Sequence, residues 1–490
     1  MKQIKFDFNN LFSFSIGSRH GVTLTQLTGM RASVNSSHRH LERLFLDARN
    51  RVNLGLEWIN LPFQNNQTLK ETQELGDELG RRFDNLLFLG IGGSYLGLKA
   101  AQDALLSPYY NELKAARGGR PKIYFEGNNL DPGTLEVLLK NLEAKKTFVV
   151  VISKSGETIE TKAAFLVVRE WLKNKVGKFY GRQILAITDQ ESGALRKIVN
   201  EENSSDALSF RSLPLLRGVG GRFSEFNMGL LHLAATGINL REVLAGAAKM
   251  LKRCSSPDIF KNPAYMYALL MNILYRKKAK PISIIMPFSE GLKSTADWYV
   301  QLLAESLGKK YSRKIKVNTA GIETWEMDKK SVVNVGRTPI SSRGTSDLHS
   351  IQQNNIEGEN NKIITFIRVE KFKADIRIPG KGDFLSSRFY SWMLTLAQEA
   401  TEWALVRESR PNCSIIMPEI TPFYWGELIL FFEIATAFEG ELLNINAFDQ
   451  PGVEGYKNYM YYKLLKPDIP EEVINDIEKN PLTKNHKFII

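Results

Sequence analysis

Ser153, Lys154, Ser155 and Thr158 crowd three hydroxyls and an ammonium into six residues, directly after an apolar run from Phe148 to Ile152. The residues that follow, Ile159 to Trp171, read as a helix. N–H groups in a first helical turn lack intrahelical partners and the dipole there is positive, so this stretch suits an anion. An ordinary hydroxyl-capped turn would carry the same letters. A second loop narrows the choice. Gly90-Ile91-Gly92-Gly93-Ser94 follows another short apolar run, Leu86 to Leu89. Its glycines let backbone N–H groups and the Ser94 hydroxyl approach a small anion closely. Two such loops on one rim point to a phosphate better than either does alone.

Further along stand groups that move protons or meet charge. Gly218-Val219-Gly220-Gly221-Arg222 turns sharply and ends in a guanidinium, a permanent charge whose donor fork suits developing negative charge. Gln301 and Glu305 lie four apart on one face of a helix read over 291–308 and stopped at Gly308. A carboxylate in a last helical turn opposes the dipole, so position alone does not account for Glu305. His349 is the one histidine of six in a Gly/Ser/Asp-rich loop, where a titrating group is accessible. Lys457 opens a new helix after the turn Asp449-Gln450-Pro451-Gly452. Taken singly, Arg222 reads better as a solvated arginine in a surface turn and His349 as a structural loop residue, and Lys457 has a solvated lysine as its plain reading. His38 and His40, in Ser-Ser-His-Arg-His, lack a third ligand at metal spacing and are expected in a solvated turn.

The elements that must position these groups follow from periodicity. From about residue 85, apolar runs at 86–89, 122–125, 148–152 and 184–188 alternate with helical stretches. That is the pattern of a doubly wound parallel sheet, whose ligands sit beyond the carboxyl ends of the strands. After a helical stretch from Leu240 to Tyr275 the pattern restarts, with strands expected at 282–286, 331–335 and 363–369. The expected organisation is α/β, with a helical extension over 1–55 and two sheet domains over 56–245 and 255–450. A C-terminal helical arm over 451–490 carries Lys457 and a helix at 471–479. Glu126 closes the second strand where a ribose-binding acid would stand, but Tyr95 occupies the third glycine position of G-x-G-x-x-G. G-x-x-x-x-G-K-[ST] is missing too, so neither nucleotide fingerprint applies.

Composition narrows the partners. The 65 basic residues exceed the 53 acidic ones by 12, but the two signs are interspersed and no Arg/Lys tract with interleaved aromatics occurs. The excess is expected to attract a small anion rather than nucleic acid. Cys254 and Cys413 form no metal or redox spacing, which fits a reducing, cytoplasmic setting. The first ten residues lack a signal-peptide pattern. The run from Leu428 to Phe438 is interrupted by Glu433 and is too short to cross a bilayer. A soluble chain without membrane contact is expected.

Taken in order, these motifs resemble those of the glucose-6-phosphate isomerase (phosphoglucose isomerase) family. They are Gly90-Ile-Gly-Gly-Ser94, Ser153-Lys-Ser-Gly-Glu-Thr158, Gly220-Gly-Arg-Phe-Ser224, Gln301-x-x-x-Glu305-Ser-x-Gly-Lys309, Gly344-Thr-x-x-x-His349 and Asp449-Gln-Pro-Gly-Val-Glu-x-x-Lys457. The resemblance runs from about residue 50 to 465. It implies two sugar-isomerase (SIS-type) domains in a homodimer with shared active sites, and interconversion of glucose 6-phosphate and fructose 6-phosphate through a cis-enediolate. Glu305 matches the proton shuttle, Arg222 the group that stabilises the enediolate, and His349 with Lys457 the ring-opening pair, His349 coming from the partner subunit. Ser153, Lys154, Ser155 and Thr158 match the phosphate cradle, and Gly93, Ser94, Gly221, Gln301 and Gln450 the sugar lining. No cofactor or metal is implied. Two other readings share the scaffold: an isomerase for mannose or amino-sugar phosphates, and a regulator that binds sugar phosphate without turning it over.

One departure stands beside Arg222. Where the family usually has small or apolar residues, this chain has Glu225-Phe226-Asn227, and Gly229 comes one residue early. Glu225 has two readings, a carboxylate that pairs with Arg222 and blunts its charge, or a first-turn acid with its face outward; Ser224 as the N-cap of the next helix favours the second. On that reading Glu225→Leu is tolerated.

Overall fold

The structure, a computed structural model, describes residues 2–203 and 210–490. It divides into two compact units, Met1–Ala447 and Phe448–Ile490. The principal elements of the first unit, in chain order, are β1 (Lys5–Asp7), α1 (Arg31–Leu46), β2 (Asn85–Leu89), α2 (Leu96–Leu105), β3 (Lys122–Glu126), β4 (Thr147–Ile152), α3 (Ile159–Val176), β5 (Ile184–Thr188) and β6 (Arg211–Pro214). They continue with α4 (Glu225–Ala235), α5 (Leu240–Arg253), α6 (Pro263–Lys278), β7 (Ile282–Pro287), α7 (Lys293–Leu307), β8 (Lys309–Val317), β9 (Glu323–Val335) and β10 (Thr338–Ser341). β11 (Lys362–Lys371), α8 (Tyr390–Arg407), β12 (Asn412–Glu419) and α9 (Pro422–Leu443) complete the unit.

The first sheet has the order β3-β2-β4-β5-β6, and every pairing in it is parallel. Side chains alternate across a strand, and here both faces are covered. Leu86, Phe88, Phe148, Val150 and Ile152 pack with Leu98 of α2 and with Met228 and Leu231 of α4. Leu87, Leu89, Val149 and Val151 pack instead against Ala164, Phe165, Val168 and Leu172 of α3. Burial on two faces is why these strands read as unbroken apolar runs.

The second sheet has the order β1-β12-β11-β7-β10. Its last four strands are parallel, and β1 lies antiparallel along β12. The largely helical 1–55 stretch thus opens with a strand, seated by Phe6 against Tyr267 and Phe431. The expected strand at 331–335 does form, but it belongs elsewhere. It ends β9, which pairs antiparallel with β8 in a separate two-stranded ribbon; many β9 side chains face solvent, so its β-branched letters mark strand without marking a sheet. The strand that takes its place in the second sheet is β10, Thr338–Ser341, too short to read from periodicity.

His38 and His40 lie in helix α1 rather than in a solvated turn. His38 is buried with Nδ1 3.2 Å from the Tyr265 hydroxyl, and His40 bridges Glu441 and Glu323 at 2.7 and 3.1 Å. No helix among the described residues is long and apolar enough to cross a membrane. The second unit contains helices α10 (Glu454–Lys463) and α11 (Glu471–Lys479), the latter where the sequence predicts it.

Candidate active site

β2 and β4 are neighbours in the sheet and run in the same direction, so the loops at their carboxyl ends share one rim. On that rim the two turns are built differently. In the turn after β4, Gly156 N–H donates to Ser153 Oγ at 3.0 Å and Glu157 N–H to Ser155 Oγ at 3.1 Å. Gly156 has φ +74° and packs against the backbone of Leu195, a conformation and a contact that favour glycine. Lys154 and Ser155 are exposed, and Thr158 caps α3 with no side-chain bond to the helix. The Thr158 hydroxyl and the Lys154 ammonium therefore stand where an incoming anion meets the start of α3.

The turn after β2 is packed backbone to backbone. A Cβ on Gly93 would lie 1.9 Å from the carbonyl oxygen of Gly221, and one on Gly92 would lie 2.9 Å from Gln301 Nε2. This close approach fixes the glycine turn against the Gly220–Arg222 turn and against α7. Ser94 Oγ lies 3.7 Å from Met228 Sδ.

At that junction sits Glu305, in the last turn of α7. Gln301 Nε2 donates to its Oε1 at 3.0 Å and Arg222 Nη1 to its Oε2 at 3.2 Å. The Arg222 side chain is 2% exposed and the Glu305 side chain 28%, so the pair is half-desolvated with the carboxylate on the open side. Arg222 is further held by Nε to Ser306 Oγ at 2.8 Å and Nη2 to the Ala447 carbonyl at 2.8 Å. The unfavourable dipole at Glu305 is met by Lys309, whose ammonium donates to the carbonyls of Glu305 and Ser306 at the helix end. Gln301 Oε1 is buried and has no donor among the described residues.

The geometry can hold a polyhydroxylated anion by its phosphate and set one carboxylate and one guanidinium on its reacting carbons. Residues 63–392 and 393–478 match the family profile described as phosphoglucose isomerase. The chain belongs to the phosphoglucose isomerase family. It is 36% identical over 488 residues to the glucose-6-phosphate isomerase of Carboxydothermus hydrogenoformans, covering 98% of each chain. It is 33% identical over 484 residues to that of Acetivibrio thermocellus, covering 96% of this chain and 98% of the other. A solved structure from Thermus thermophilus, of a protein described only as hypothetical, is similar with a TM-score of 0.77 at 28% identity, covering 94% of this chain and all of the other.

In this phosphoglucose isomerase family member, Gly93, Gly221, Arg222, Gln301 and Glu305 come together directly, and Ser94 sits on the same turn as Gly93. Ser153, Lys154, Ser155 and Thr158 form the neighbouring loop. His349 is exposed and ends the turn Ser346–His349. Gln450 and Lys457 belong to the second unit. There Lys457 Nζ donates to Glu454 Oε1 at 2.8 Å. Partial burial pulls the Lys457 pKa down, but the bond and charge of Glu454 outweigh it and leave the pKa raised.

Glu225 overturns its expected orientation. It begins α4, but it points inward and is 3% exposed. Ser224 does not cap the helix with its side chain; its hydroxyl donates to the Gly221 carbonyl instead. Glu225 Oε1 accepts from Trp298 Nε1 of α7 at 2.6 Å, and its carboxyl interacts electrostatically with that of Glu433 in α9. Burial pushes both carboxyls up, Glu433 well above the ordinary range. Two supports of Arg222 escaped the sequence reading: the Ser306 hydroxyl, next to Glu305 in the matched motif, and the Ala447 carbonyl, which no residue type signals.

Proposed function

We propose that the chain interconverts glucose 6-phosphate and fructose 6-phosphate, with Glu305 as the group that carries the proton between C1 and C2. The observation that carries this reading is the Glu305 carboxylate, with Gln301 on one oxygen and Arg222 on the other, open to the rim where the phosphate loop lies. The phosphate is bound by Ser153, Lys154, Ser155 and Thr158 at the start of α3. Gly93, Ser94, Gly221, Gln301 and Gln450 line the sugar.

The reaction begins with opening of the hemiacetal. A proton is delivered to the ring oxygen as the C1 hydroxyl loses its own, and His349 with Lys457 serve this step. A raised Lys457 pKa keeps that side chain protonated as a donor near neutral pH. Glu305 then takes the proton from C2 of the open aldose, and negative charge gathers on the enediolate oxygens. Arg222 is permanently charged and already fixed by Ser306 and Ala447, so it stabilises that charge with little reorganisation. Passage of the hydroxyl proton from O2 to O1 and return of the carbon proton to C1 give the ketose. The active unit is a homodimer in which His349 reaches the partner's site, and it works in the cytoplasm.

The test is turnover of fructose 6-phosphate, read by coupling the glucose 6-phosphate formed to a dehydrogenase, in wild type and Glu305→Gln. Wild-type turnover lost in the variant, with sugar phosphate still bound, supports the reading. Binding without wild-type turnover overturns it in favour of another sugar phosphate or a sensor.

A further inference from the structure

Arg222 is anchored to two neighbours, α7 through Glu305 and Ser306, and the end of the α9 segment through Ala447. Three residues later, Glu225 reaches the same two elements from the other side of the turn. It accepts from Trp298 of α7, two helical turns before Glu305, and its carboxyl interacts electrostatically with that of Glu433 in the middle of α9. Gly97 of α2 makes room for it, since a Cβ there would lie 2.6 Å from Glu225 Cγ.

The chemistry of this contact is unusual. Glu433 is fully buried, neither of its oxygens receives a donor from the described residues, and Glu225 Oε2 receives none either. Two carboxylates cannot face one another there without a cation. Glu225 is the one charged group that acts on Glu433 among the described residues, and other charged and titratable groups on α2, α4, α7 and α9 are engaged elsewhere. Lys99 of α2 pairs with Asp103 at 2.7 Å, His232 of α4 with Gln102 at 3.2 Å, and Asp297 of α7 with Lys293 at 2.6 Å. On α9, Glu439 and Glu441 pair with Arg337 and Arg313, and Glu427 with Lys249. Among the described residues, that leaves a proton as the positive charge available to the pair.

We propose that Glu225 and Glu433 share a proton and act together as a positioning pair, clamping the Arg222 turn between α7 and α9 so that the guanidinium stays on the Glu305 carboxylate. The inference rests on the isomerase reading for its catalytic consequence, but the shared proton has a readout independent of turnover.

Both carboxyls are raised in the fold. As pH climbs above about 4.5, the unfolded chain releases protons that the native pair retains, and stability falls until pH passes the folded values. The experiment compares wild type, Glu225→Gln, Glu225→Leu and Trp298→Phe, with thermal unfolding from about pH 5 to about pH 8 and kinetics across the same range. Glu225→Gln keeps an acceptor for Trp298 and supplies its own N–H to Glu433. It is expected to flatten the pH dependence of Tm and to retain kcat within about twofold. Glu225→Leu is expected to lower kcat about tenfold or more at nearly unchanged KM, because the turn carrying Arg222 shifts while the substrate loops stay. Trp298→Phe is expected to fall between them. Equal pH slopes of Tm in wild type and Glu225→Gln would overturn the shared proton, whether or not the protein isomerises sugar phosphates. Wild-type kcat in a folded Glu225→Leu would overturn the positioning role.

Discussion

Arg222 Nη1 sits 3.2 Å from Glu305 Oε2, and the two residues come from different layers of the fold, one from the turn before α4 and one from the last turn of α7. The contact places a fixed positive charge on the carboxylate proposed to move the proton. It also explains how an acid can stand at a helix end that disfavours it, with Lys309 capping the same end.

Arg222→Lys is expected to cost about 10²-fold in kcat, because an ammonium cannot hold Glu305, Ser306 and Ala447 together through one planar fork. Steady-state kinetics checks this, with circular dichroism to confirm the fold. A kcat within a factor of two would remove Arg222 from the mechanism.

Gly93→Ala tests the backbone packing. The added methyl would fall 1.9 Å from the Gly221 carbonyl, a contact that forces the two turns apart. Moving the Arg222 turn by about an ångström is expected to lower kcat/KM about 10²-fold. The same substitution at the open Gly220 meets no atom within 4 Å and is the matched control.

Lys154→Ala is expected to act on binding. Its side chain is exposed on the loop proposed to bind the phosphate, so its loss should raise KM about tenfold with kcat nearly unchanged. Salt should weaken wild-type binding more than the variant's. An equal fall in kcat would place Lys154 nearer the reacting carbons.

His40 offers a pH prediction outside the site. Burial lowers its pKa, but hydrogen bonds and charge from Glu441, with a bond from Glu323, outweigh this and leave it raised above 6.5. Its stabilising contribution is fully present below the unfolded value and is lost as pH rises through the higher folded one. His40→Gln should therefore lower Tm by about 1–2 °C at acidic pH, with the difference shrinking as pH rises past neutrality. A difference that grows with pH would contradict the assignment.

Much of this was legible in the letters because it is local. Phe148 to Ile152 reads as a doubly covered strand, and Gln301 with Glu305 as one helical face. What escaped depends on partners far along the chain. Glu225 looks like a first-turn acid until α9 brings Glu433 beside it, and His40 looks solvated until Glu323 and Glu441 close over it. β1 and β10 are too short to show a period. β9 has strand letters that cannot say which sheet, or whether any, receives it.

Glu305 is proposed to carry the proton between C1 and C2. The most direct measurement is conversion of glucose 6-phosphate labelled with deuterium at C2, following label at C1 of the ketose and label lost to water. Wild type is predicted to divide the label between the two, as a carboxyl partly open to solvent would. Glu305→Gln is predicted to show neither transfer nor exchange while still binding the sugar phosphate. Label exchange in Glu305→Gln at the wild-type rate would contradict the account and assign the shuttle to another group.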